Sequence, residues 1–302
     1  MNRRAAGRTG GRTGGPGAVP VAAVVVNYES GDSLGRCVAD LAAQGPAEIV
    51  VVDNGSADGS VAGLDPAAGR VAVVTPGLNV GYGAAVNRGA AATSSGYLLV
   101  CNPDLAVPPG VIDALAGVLE DDPSLGIVGP LIRTPEGDRY PSARRFPSMV
   151  DAAGHALLGL FAPDNRFTRR YQQSDLDDPG LSGVRVVDWV SGACFLARRA
   201  AFEAVGGFDE AYFMYLEEVD LCWRLGRAGY RVAYLPDVEV VHLQGVSTDR
   251  HPYRMIVEHH RSLLRFAGRT TTGWRAALLP LVALGIGVRA LLATGRRLAG
   301  PH

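Results

Sequence analysis

Residues 21–28 read Val-Ala-Ala-Val-Val-Val-Asn-Tyr, a short apolar run that ends in polar residues. A continuous run of this kind is typical of a strand that is buried on both faces of a sheet. Six further strands are predicted, at residues 48–54, 70–75, 97–101, 126–132, 184–196 and 231–241. Helices are predicted within residues 33–44, 76–93, 111–120, 199–205 and 253–266. Strands that alternate with helices predict an α/β fold, with a Rossmann-like, mostly parallel sheet flanked by helices.

The composition of the 302-residue chain excludes some classes of protein and favours others. Its net charge of −1 argues against wholesale binding of nucleic acid. All 29 basic residues are arginines, because the sequence contains no lysine. Four of them crowd residues 3–12 and nine crowd residues 250–297. Basic ends around an acidic body predict contact with a membrane surface or another anion.

The sequence divides into three parts. Residues 1–20 are rich in Gly, Arg and Thr and lack the apolar core of a signal peptide, so we expect a disordered arm. Residues 21–245 form the predicted α/β domain, in which residues 134–182 lose the pattern and predict a mobile excursion. Residues 246–302 form a helical, basic and apolar tail. Four cysteines, far apart in apolar runs, predict buried free thiols in a reducing cytosol.

The tail has an apolar segment that is short for a membrane span. Only thirteen residues separate Arg275 from Arg289, and they include Pro280 and two glycines. Spanning a bilayer takes about 17 to 25 apolar residues. We therefore expect an interfacial segment whose arginines extend to the lipid headgroups, with a buried helical pair and a true span as the alternatives.

Polar residues end several of the predicted strands. Asn27, Asp53 and Asp104 stand at or just beyond the ends of three of them. Parallel α/β sheets bind ligands beyond the carboxyl ends of their strands, so we expect these residues to converge on one crevice. His242 closes the last strand, and it is either structural or close enough to reach a metal or a phosphate.

Several loops each allow two interpretations. Asp-Asn-Gly-Ser-Ala-Asp-Gly-Ser at 53–60 is either a base- and ribose-binding loop or a tight turn with Ser56 capping a short helix. Residues 79–89, a turn into a helix without the dinucleotide fingerprint, either hold a diphosphate or serve packing. Asn-Pro-Asp at 102–104 either supplies an oxygen ligand to a hard cation or forms a turn. Trp189 is either core or, beside the Ser-Gly pair that follows it, a wall for a sugar.

Three acids crowd the start of a predicted helix in the aromatic-rich stretch 207–224. On that helix Glu218 shares the apolar stripe, whereas Glu217 shares a face with Asp220 and Arg224. We therefore expect Glu218 to point into a cleft and Asp220 to pair with Arg224, and the sequence leaves Glu217 open. Burial raises the pKa of Glu218 and the helix start lowers it, so that the balance is also open.

Six motifs, taken in order, carry a resemblance to a known family. They are Val-Asn-Tyr at 26–28, Val-Val-Asp-Asn-Gly-Ser at 51–56, Asn-Val-Gly-Tyr-Gly at 79–83, Asn-Pro-Asp at 102–104, Gly-Gly-Phe-Asp-Glu at 206–210 and Leu-Glu-Glu-Val-Asp-Leu at 216–221. Each motif alone is weak, but their order and spacing form a strong signal. Over residues 20–245 the chain resembles the family 2 inverting glycosyltransferases with the GT-A fold, and more narrowly their bacterial rhamnosyltransferase branch.

The resemblance implies roles for individual residues. Glu218 would be the general base, Asp53 would bind the pyrimidine base, and Asp104 with His242 would hold the metal. The nucleotide-sugar would contact Asn27, Tyr28, Glu29, Asp53, Asn54, Asn79, Gly81, Asn87, Asn102 and Asp104. The pocket for the sugar or the acceptor would contain Trp189, Ser191, Gly192 and Glu217. The sequence departs from the family pattern twice, since Asn102 replaces the first Asp of Asp-X-Asp and Glu218 stands where Asp is usual.

The resemblance also implies an activity. The chain is expected to be a metal-dependent inverting glycosyltransferase, with Mg²⁺ or Mn²⁺ as the cofactor. By similarity to actinobacterial members of the branch, it would move L-rhamnose from dTDP-rhamnose onto polyprenyl-diphosphate-linked N-acetylglucosamine in synthesis of the arabinogalactan linker of the cell wall. The tail would hold it peripherally on the cytoplasmic face of the plasma membrane. No nucleic-acid partner is expected, and a homo-oligomer is left open.

Three alternatives remain at the level of sequence. One is a glycosyltransferase of the same family with a different nucleotide-sugar and acceptor. A nucleotidyltransferase would usually have a Gly-rich loop with Arg or Lys after the first strand, and Asn-Tyr-Glu-Ser at 27–30 is no such loop. A non-catalytic sugar-nucleotide or membrane-scaffold protein would not need Glu218 and Asp104 together.

Overall fold

A computed structural model describes residues 19–64, 71–146, 182–243 and 252–298 of the chain. The arm predicted at 1–20 lies almost entirely outside these residues. Most of the excursion predicted at 134–182 also lies outside them.

The described residues form twelve strands around one central sheet. Their bounds are β1 Val21–Asn27, β2 Glu48–Asp53, β3 Val71–Val74, β4 Tyr97–Cys101, β5 Leu105–Ala106, β6 Leu125–Arg133, β7 Arg139–Tyr140, β8 Ala143–Arg144, β9 Arg185–Val187, β10 Trp189–Val190, β11 Cys194–Arg198 and β12 Arg231–His242. The sheet has the order β3-β2-β1-β4-β11-β6-β12-β5, with β7 beside β6 and β9 beside β12. Strands β8 and β10 pair separately.

The sheet is mixed, and its long strands are mostly parallel. Strands β1 to β4 run parallel to one another, as do β6 and β12. Strand β11 lies antiparallel between β4 and β6. Seven α-helices flank the sheet or follow it in the described residues: α1 Ser33–Ala43, α2 Tyr82–Ala91, α3 Val111–Asp121, α4 Arg199–Ala204, α5 Glu217–Arg227, α6 Pro252–Thr270 and α7 Leu279–Leu298. This arrangement confirms the predicted fold class.

Strand β1 is buried on both faces, as its sequence predicts. Alternate residues of β1 belong to two apolar clusters, one shared with α2 and α5 and the other with α1 and α3. Helix α2 approaches the strand closely because its Gly89 has no side chain. A Cβ atom at Gly89 would lie 2.3 Å from Cγ1 of Val24. Strand β1 is therefore packed between helices on both faces of the sheet.

The single strand predicted at 184–196 is wrong, because this segment forms three short strands instead. Asp188 interrupts it first, since its carboxylate accepts a hydrogen bond from the backbone N–H of Phe146 at 2.8 Å. Ser191 interrupts it again, since its N–H donates to the carbonyl of Ser142 at 2.8 Å. The second break leaves Ser191 and Gly192 outside the ladder, beside the carboxyl end of β4.

The tail is helical and its apolar surface is exposed. A 3-10 turn at Gly273–Leu278 leads into α7, where Pro280 occupies a position in the first turn that tolerates proline. Residues Gly273–Gly295 form a segment long and apolar enough to cross a membrane, with a mean hydropathy of 2.1 and none of it buried. The exposure of this segment does not favour the buried helical pair, and its place relative to a membrane stays a prediction. The apolar segment is also longer than the thirteen residues considered from sequence, because the helix continues through its glycines.

All four cysteines are free and buried, as predicted. Burial raises the pKa of the Cys222 thiol to about 12. A thiol that stays protonated at neutral pH is a poor nucleophile, so Cys222 acts as a small apolar residue.

Candidate active site

A cavity of about 340 Å³ opens beyond the carboxyl ends of β1, β2 and β4. Its wall includes ten of the predicted site residues: Tyr28, Asn54, Asn79, Asn102, Asp104, Ser191, Gly192, Glu217, Glu218 and His242. The six others are outside this wall: Asn27, Glu29, Asp53, Gly81, Asn87 and Trp189. The crevice predicted at the strand ends is thus present, and its donor-binding and catalytic roles stay predictions.

Asn27 lies beneath the cavity and holds two loops together. Its side chain is fully buried, and its amide nitrogen lies within 3.0 Å of an Asp53 oxygen and of the hydroxyls of Ser56 and Ser60. The Ser30 hydroxyl donates to its amide oxygen. Because both ends of the amide are engaged inside the protein, Asn27 positions Asp53 and the loop after β2. A direct contact with the donor would require breaking these bonds.

The loop at 53–60 is a turn that its own side chains stabilise. Asp53 accepts from the backbone N–H of Ser56 at 3.3 Å, and Glu29 accepts from the N–H of Ala57 at 2.7 Å. The predicted Ser56 cap is wrong, because the 3-10 helix begins at Ser60 and the Ser56 hydroxyl instead accepts from the N–H of Glu29. Asp53 nevertheless stays close to the cavity, so base binding remains a prediction.

The turn at 79–82 is built for packing against the loop that precedes α5. Gly81 has a φ of 91°, and a Cβ atom there would lie 2.5 Å from the carbonyl oxygen of Phe213. That carbonyl accepts from the N–H of Tyr82 at 3.0 Å, which uses one of the free N–H groups at the start of α2. Asn54 braces the same turn by donating to Asn79 at 3.0 Å.

Two predicted site residues serve the interior instead. Asn87 donates to the carbonyl of Phe208 at 2.9 Å and accepts from its N–H at 2.9 Å, so it clamps a glycine-rich loop. Trp189 is 5% exposed, and its indole N–H donates to the carbonyl of Arg145 at 2.8 Å. The sugar wall suggested for Trp189 is therefore wrong, since its ring faces the core and Arg144.

Asn102, Asp104 and His242 meet at one side of the cavity. Asp104 Oδ1 lies 3.1 Å from His242 Nε2, and Asn102 Nδ2 lies 3.2 Å from the same nitrogen. The other ring nitrogen of His242 is buried and has no hydrogen-bond partner among the described residues. Carboxylate and imidazole are both ligands of divalent cations in proteins.

This side of the cavity fits an incomplete cation site. Within the described ranges no group of three or more His, Cys, Asp or Glu side chains is placed to hold a metal ion. Asp104 and His242 would therefore bind a cation only together with oxygens from another molecule. Mg²⁺ in particular is commonly held by one or two carboxylates and substrate phosphates.

The opposite side of the cavity is the start of α5, and the backbone there is strained. Tyr215 and Leu216 have φ values of 69° and 64°, in the left-handed region that residues with a side chain seldom adopt. The third described non-glycine residue with positive φ is Glu29, beside the loop after β2. Such strain costs about 1 to 3 kcal/mol per residue and is concentrated at functional sites.

Glu217 and Glu218 both line the cavity. Glu217, whose direction the sequence left open, is 5% exposed, and its Oε2 has no hydrogen-bond partner among the described residues. Glu218 is half-buried in the wall. The cavity lies at the end of the helix, where consecutive residues of the first turn can both face it.

Burial raises the pKa of both carboxyl groups, which answers the question that the sequence left open. The charge of Glu218 raises the pKa of Glu217 further. The backbone N–H groups at the helix start and the guanidinium of Arg144 partly offset the effect of burial on the pKa of Glu218. Two close carboxyl groups do not ionise together readily, so the protons of Glu217 and Glu218 are lost as those of a coupled pair, at higher pH than from a free glutamate.

Two further residues belong near the site: Arg144, which lies in none of the sequence motifs, and Tyr82, which lies in the motif at 79–83 but was not predicted as a site residue. Arg144 lies over the rings of Tyr140 and Trp189, at 5.7 Å and 5.2 Å from their centroids. Tyr82 lines the cavity and donates its hydroxyl hydrogen to the carbonyl of Gly192 at 2.6 Å. Arg144 follows a stretch without helical or strand periodicity, and only the folded chain brings it near Glu218.

The third acid of this helix, Asp220, is structural, as predicted. Its carboxylate is fully buried and accepts from Arg224 Nε at 2.7 Å. It also accepts from Arg269 of α6 at 2.7 Å and from the Tyr212 hydroxyl at 3.3 Å. Asp220 thus links the catalytic-side helix α5 to the tail helix α6.

The family profile named Glycosyl transferase family 2 matches residues 22–206, which include β1, the loops after β2 and β4, and β11. This chain belongs to that family. The match places the cavity wall from Tyr28 to Gly192 inside the conserved unit of a glycosyltransferase, and the carboxyl groups of α5 just beyond it.

Relatives within the family confirm the narrower resemblance. The chain is 43% identical over 269 residues to the N-acetylglucosaminyl-diphospho-decaprenol L-rhamnosyltransferase of two Mycobacterium tuberculosis strains, covering 84% of this chain and 86% of that protein. It is also 35% identical over 101 residues to the rhamnosyltransferase WbbL of Escherichia coli K12, covering 33% of this chain and 34% of that protein.

A solved structure shows the same fold at low sequence identity. The mannosyltransferase PcManGT from Pyrobaculum calidifontis, in complex with GDP-Man and Mn²⁺, superimposes with a TM-score of 0.57. The two chains are 18% identical, and the match covers 94% of this chain and 76% of that chain. At this identity the match shows a shared fold.

We predict that Glu217→Gln stabilises the protein at neutral pH. A raised pKa means that the folded state prefers the protonated acid, so wild-type stability falls as the pH rises above the unfolded value of about 4.3. Glutamine imitates the protonated acid and avoids this loss. Each unit of pKa shift corresponds to about 1.36 kcal/mol, so we expect a gain of about 1 kcal/mol or more in urea denaturation at neutral pH.

The gain should shrink as the pH falls towards the pKa of a free glutamate. Glu203→Gln is the matched control, because its side chain is 61% exposed and its stability effect should be small at any pH. Equal stability of wild type and Glu217→Gln at neutral pH would contradict the raised pKa of Glu217.

Proposed function

We propose that this glycosyltransferase moves L-rhamnose, with inversion, from dTDP-rhamnose onto a polyprenyl-diphosphate-linked N-acetylglucosamine. The observation that carries the proposal is the placement of Glu218 and of the Asp104–His242 pair in the wall of one cavity. The rhamnosyltransferase activity named for the 43% identical relative supports the choice of donor sugar and acceptor. That relative is matched along 86% of its length, which includes the region of α5.

Glu218 is the proposed general base. Its carboxylate takes the proton of the acceptor hydroxyl while the oxygen forms a bond to the anomeric carbon of the donor. The bond from that carbon to the diphosphate oxygen breaks, and its electron pair leaves with the nucleoside diphosphate. Attack from the face opposite the leaving group inverts the anomeric carbon. Arg144 and the helix N–H groups favour the ionised Glu218 that this step requires.

Asp104 and His242 are the proposed ligands of a divalent cation, with Asn102 next to them. When bound, such a cation neutralises the negative charge that develops on the departing diphosphate. The convergence of a carboxylate and an imidazole nitrogen within 3.1 Å supports this assignment. Both Mg²⁺ and Mn²⁺ are compatible with one carboxylate, one imidazole and phosphate oxygens.

Glu217 and the residues near β11 are proposed to receive the acceptor sugar. A protonated Glu217 donates a hydrogen bond, and its unpartnered Oε2 is available to a bound hydroxyl. Gly192 leaves space beside Glu218, since a Cβ atom there would already lie 3.5 Å from Glu218 Cβ. None of the described residues of this site favours the alternative of a nucleotidyltransferase.

Activity with a panel of donors tests the proposal. We expect transfer from dTDP-rhamnose to polyprenyl-diphospho-N-acetylglucosamine, and little transfer from UDP-sugars. Removal of divalent cations with EDTA should abolish transfer, and Mg²⁺ or Mn²⁺ should restore it. A donor other than dTDP-rhamnose giving the highest kcat/KM would contradict the assigned sugar. Full activity in EDTA would contradict the cation site.

The base assignment predicts that Glu218→Gln loses transfer and keeps donor binding. Glutamine cannot accept the proton, and general base catalysis contributes about 100- to 10,000-fold to rate. We expect kcat to fall by this factor in steady-state assays, with dTDP-rhamnose affinity unchanged in calorimetry. Glu203→Gln is again the control and should retain wild-type kcat. Near wild-type turnover in Glu218→Gln would remove the base assignment.

The tail is proposed to hold the enzyme on the cytoplasmic face of the plasma membrane, either in the interface or across it. The unburied apolar segment Gly273–Gly295 and the exposed Leu281, Leu284 and Leu291 support membrane contact. Deleting residues 273–302 should therefore release the protein from anionic vesicles in a flotation assay. If the truncated protein still floats, the tail is not the anchor. Extraction of the full chain at high salt would favour the interfacial position, and retention a span.

A further inference from the structure

Arg254 stands at the rim of the active-site cavity, near the start of α6. Its guanidinium carbon lies 4.3 Å from the centroid of the Phe213 ring, close enough for a cation–π contact. Phe213 belongs to the loop that leads into Glu217 and Glu218. The arginine is therefore held on the side of the cavity that carries the proposed base.

Arg254 is the arginine of α6 that lacks a carboxylate partner among the described residues. Arg261 pairs with Glu258 at 3.4 Å, and Arg265 pairs with Asp209 at 2.9 Å. Arg269 is bound to Asp220. The three other arginines of the helix thus each have a carboxylate partner in the protein. The charge of Arg254 is available to a ligand in the cavity.

The other charged side chains of the cavity wall are mostly acidic. Asp104, Glu217 and Glu218 give the wall an acidic character, and Arg254 is the one arginine among its described lining residues. A diphosphate entering such a wall meets carboxylates unless a cation compensates for them. An arginine side chain matches phosphate oxygens through paired N–H donors.

The apolar surface of the tail begins beside Arg254. Tyr253 and Val257 are 45% and 52% exposed, next to Arg254 in sequence and about one turn further along α6. Helix α7 packs along α6, and burial together with the charge of Arg289 of α7 lowers the pKa of His259 to about 4. Helix α7 therefore lies beside the part of α6 that carries His259, which is between one and two turns from Arg254.

We infer that Arg254 binds the diphosphate of the lipid-linked acceptor, whose sugar extends to Glu218 and whose prenyl chain leaves along α6 and α7. The inference rests on the proposed function, because it assigns a contact to the acceptor named there. A diphosphate tethered to a lipid must stay near the membrane surface, which is where the start of α6 meets the apolar tail. The donor diphosphate is instead assigned to the Asp104–His242 side.

Arg254→Ala tests the inference in the full-length protein with its tail. We expect KM for polyprenyl-diphospho-N-acetylglucosamine to rise about 10- to 100-fold, the size expected for a lost charged hydrogen bond. The KM for dTDP-rhamnose should stay within about twofold of wild type. Arg254→Lys should recover part of the loss, since it keeps the charge without the paired donors. Arg261→Ala, on the same helix and already ion-paired, is the matched control and should change neither KM.

An acceptor without the diphosphate distinguishes a lost contact with the diphosphate from a general distortion of the acceptor site. With an alkyl glycoside of N-acetylglucosamine, wild type and Arg254→Ala should have the same KM. An equal loss with both acceptors would overturn the inference, and so would a rise in the KM for dTDP-rhamnose in place of the acceptor.

A binding assay without turnover keeps the test independent of the proposed reaction. Farnesyl diphosphate in detergent micelles should bind Arg254→Ala about 10- to 100-fold more weakly than wild type, and dTDP should bind both equally. Equal affinity of the two proteins for farnesyl diphosphate would overturn the inference. A wild type that binds farnesyl diphosphate through Arg254 but transfers no rhamnose would instead contradict the proposed function alone.

Discussion

The buried carboxylate of Asp220 is the interaction on which the geometry of the site depends. It has no exposed surface, and Arg224, Arg269 and Tyr212 all direct hydrogen bonds to it. Removing one partner from a buried ion pair typically costs about 3 to 5 kcal/mol, because the remaining charge cannot return to water. Asp220 belongs to the helix whose first turn carries Glu217 and Glu218. The same charge that fixes the tail helix therefore also fixes the carboxyl groups of the cavity.

Charge in the cavity is divided between two sides. Asp104 and His242 lie 3.1 Å apart on one side, the proposed place of the cation and the donor diphosphate. Glu217 and Glu218 lie on the other, where burial raises the pKa of both carboxyl groups and so lowers the net charge that must be buried. The strained backbone at Tyr215 and Leu216 directs both carboxyl groups into the cavity. The protein thus accepts strain and buried charge at one helix end, which is consistent with a site selected for chemistry over stability.

Sequence patterns predicted the parts of this site that depend on local structure. Apolar runs located the strands, and the polar residues at their ends located the cavity, because parallel strands present their carboxyl ends together. Helix periodicity left the direction of Glu217 open, because the cleft lies at the end of the helix and not along one side of it. Periodicity also could not predict whether Trp189 lines the cavity or the core, because this depends on its contacts with Arg144 and Arg145. Arg144 and Arg254 were missed because their positions near α5 depend on contacts between segments far apart in the chain.

Helix α6 contacts the active site and also packs against helix α7. Arg269 near its end is bound to Asp220, and Arg254 near its start stacks on Phe213 beside the cavity. Arg269 follows Arg254 by fifteen positions along the helix, a rise of about 22 Å at 1.5 Å per residue. The helix is therefore held to the sheet-bearing part of the protein at two points, near its start and near its end. Because α7 packs on this helix, attachment of α7 to a membrane would orient the cavity as well as retain the protein. An acceptor confined to the same membrane would then approach Glu218 from a fixed direction, which reduces the orientational freedom that the transfer reaction has to remove.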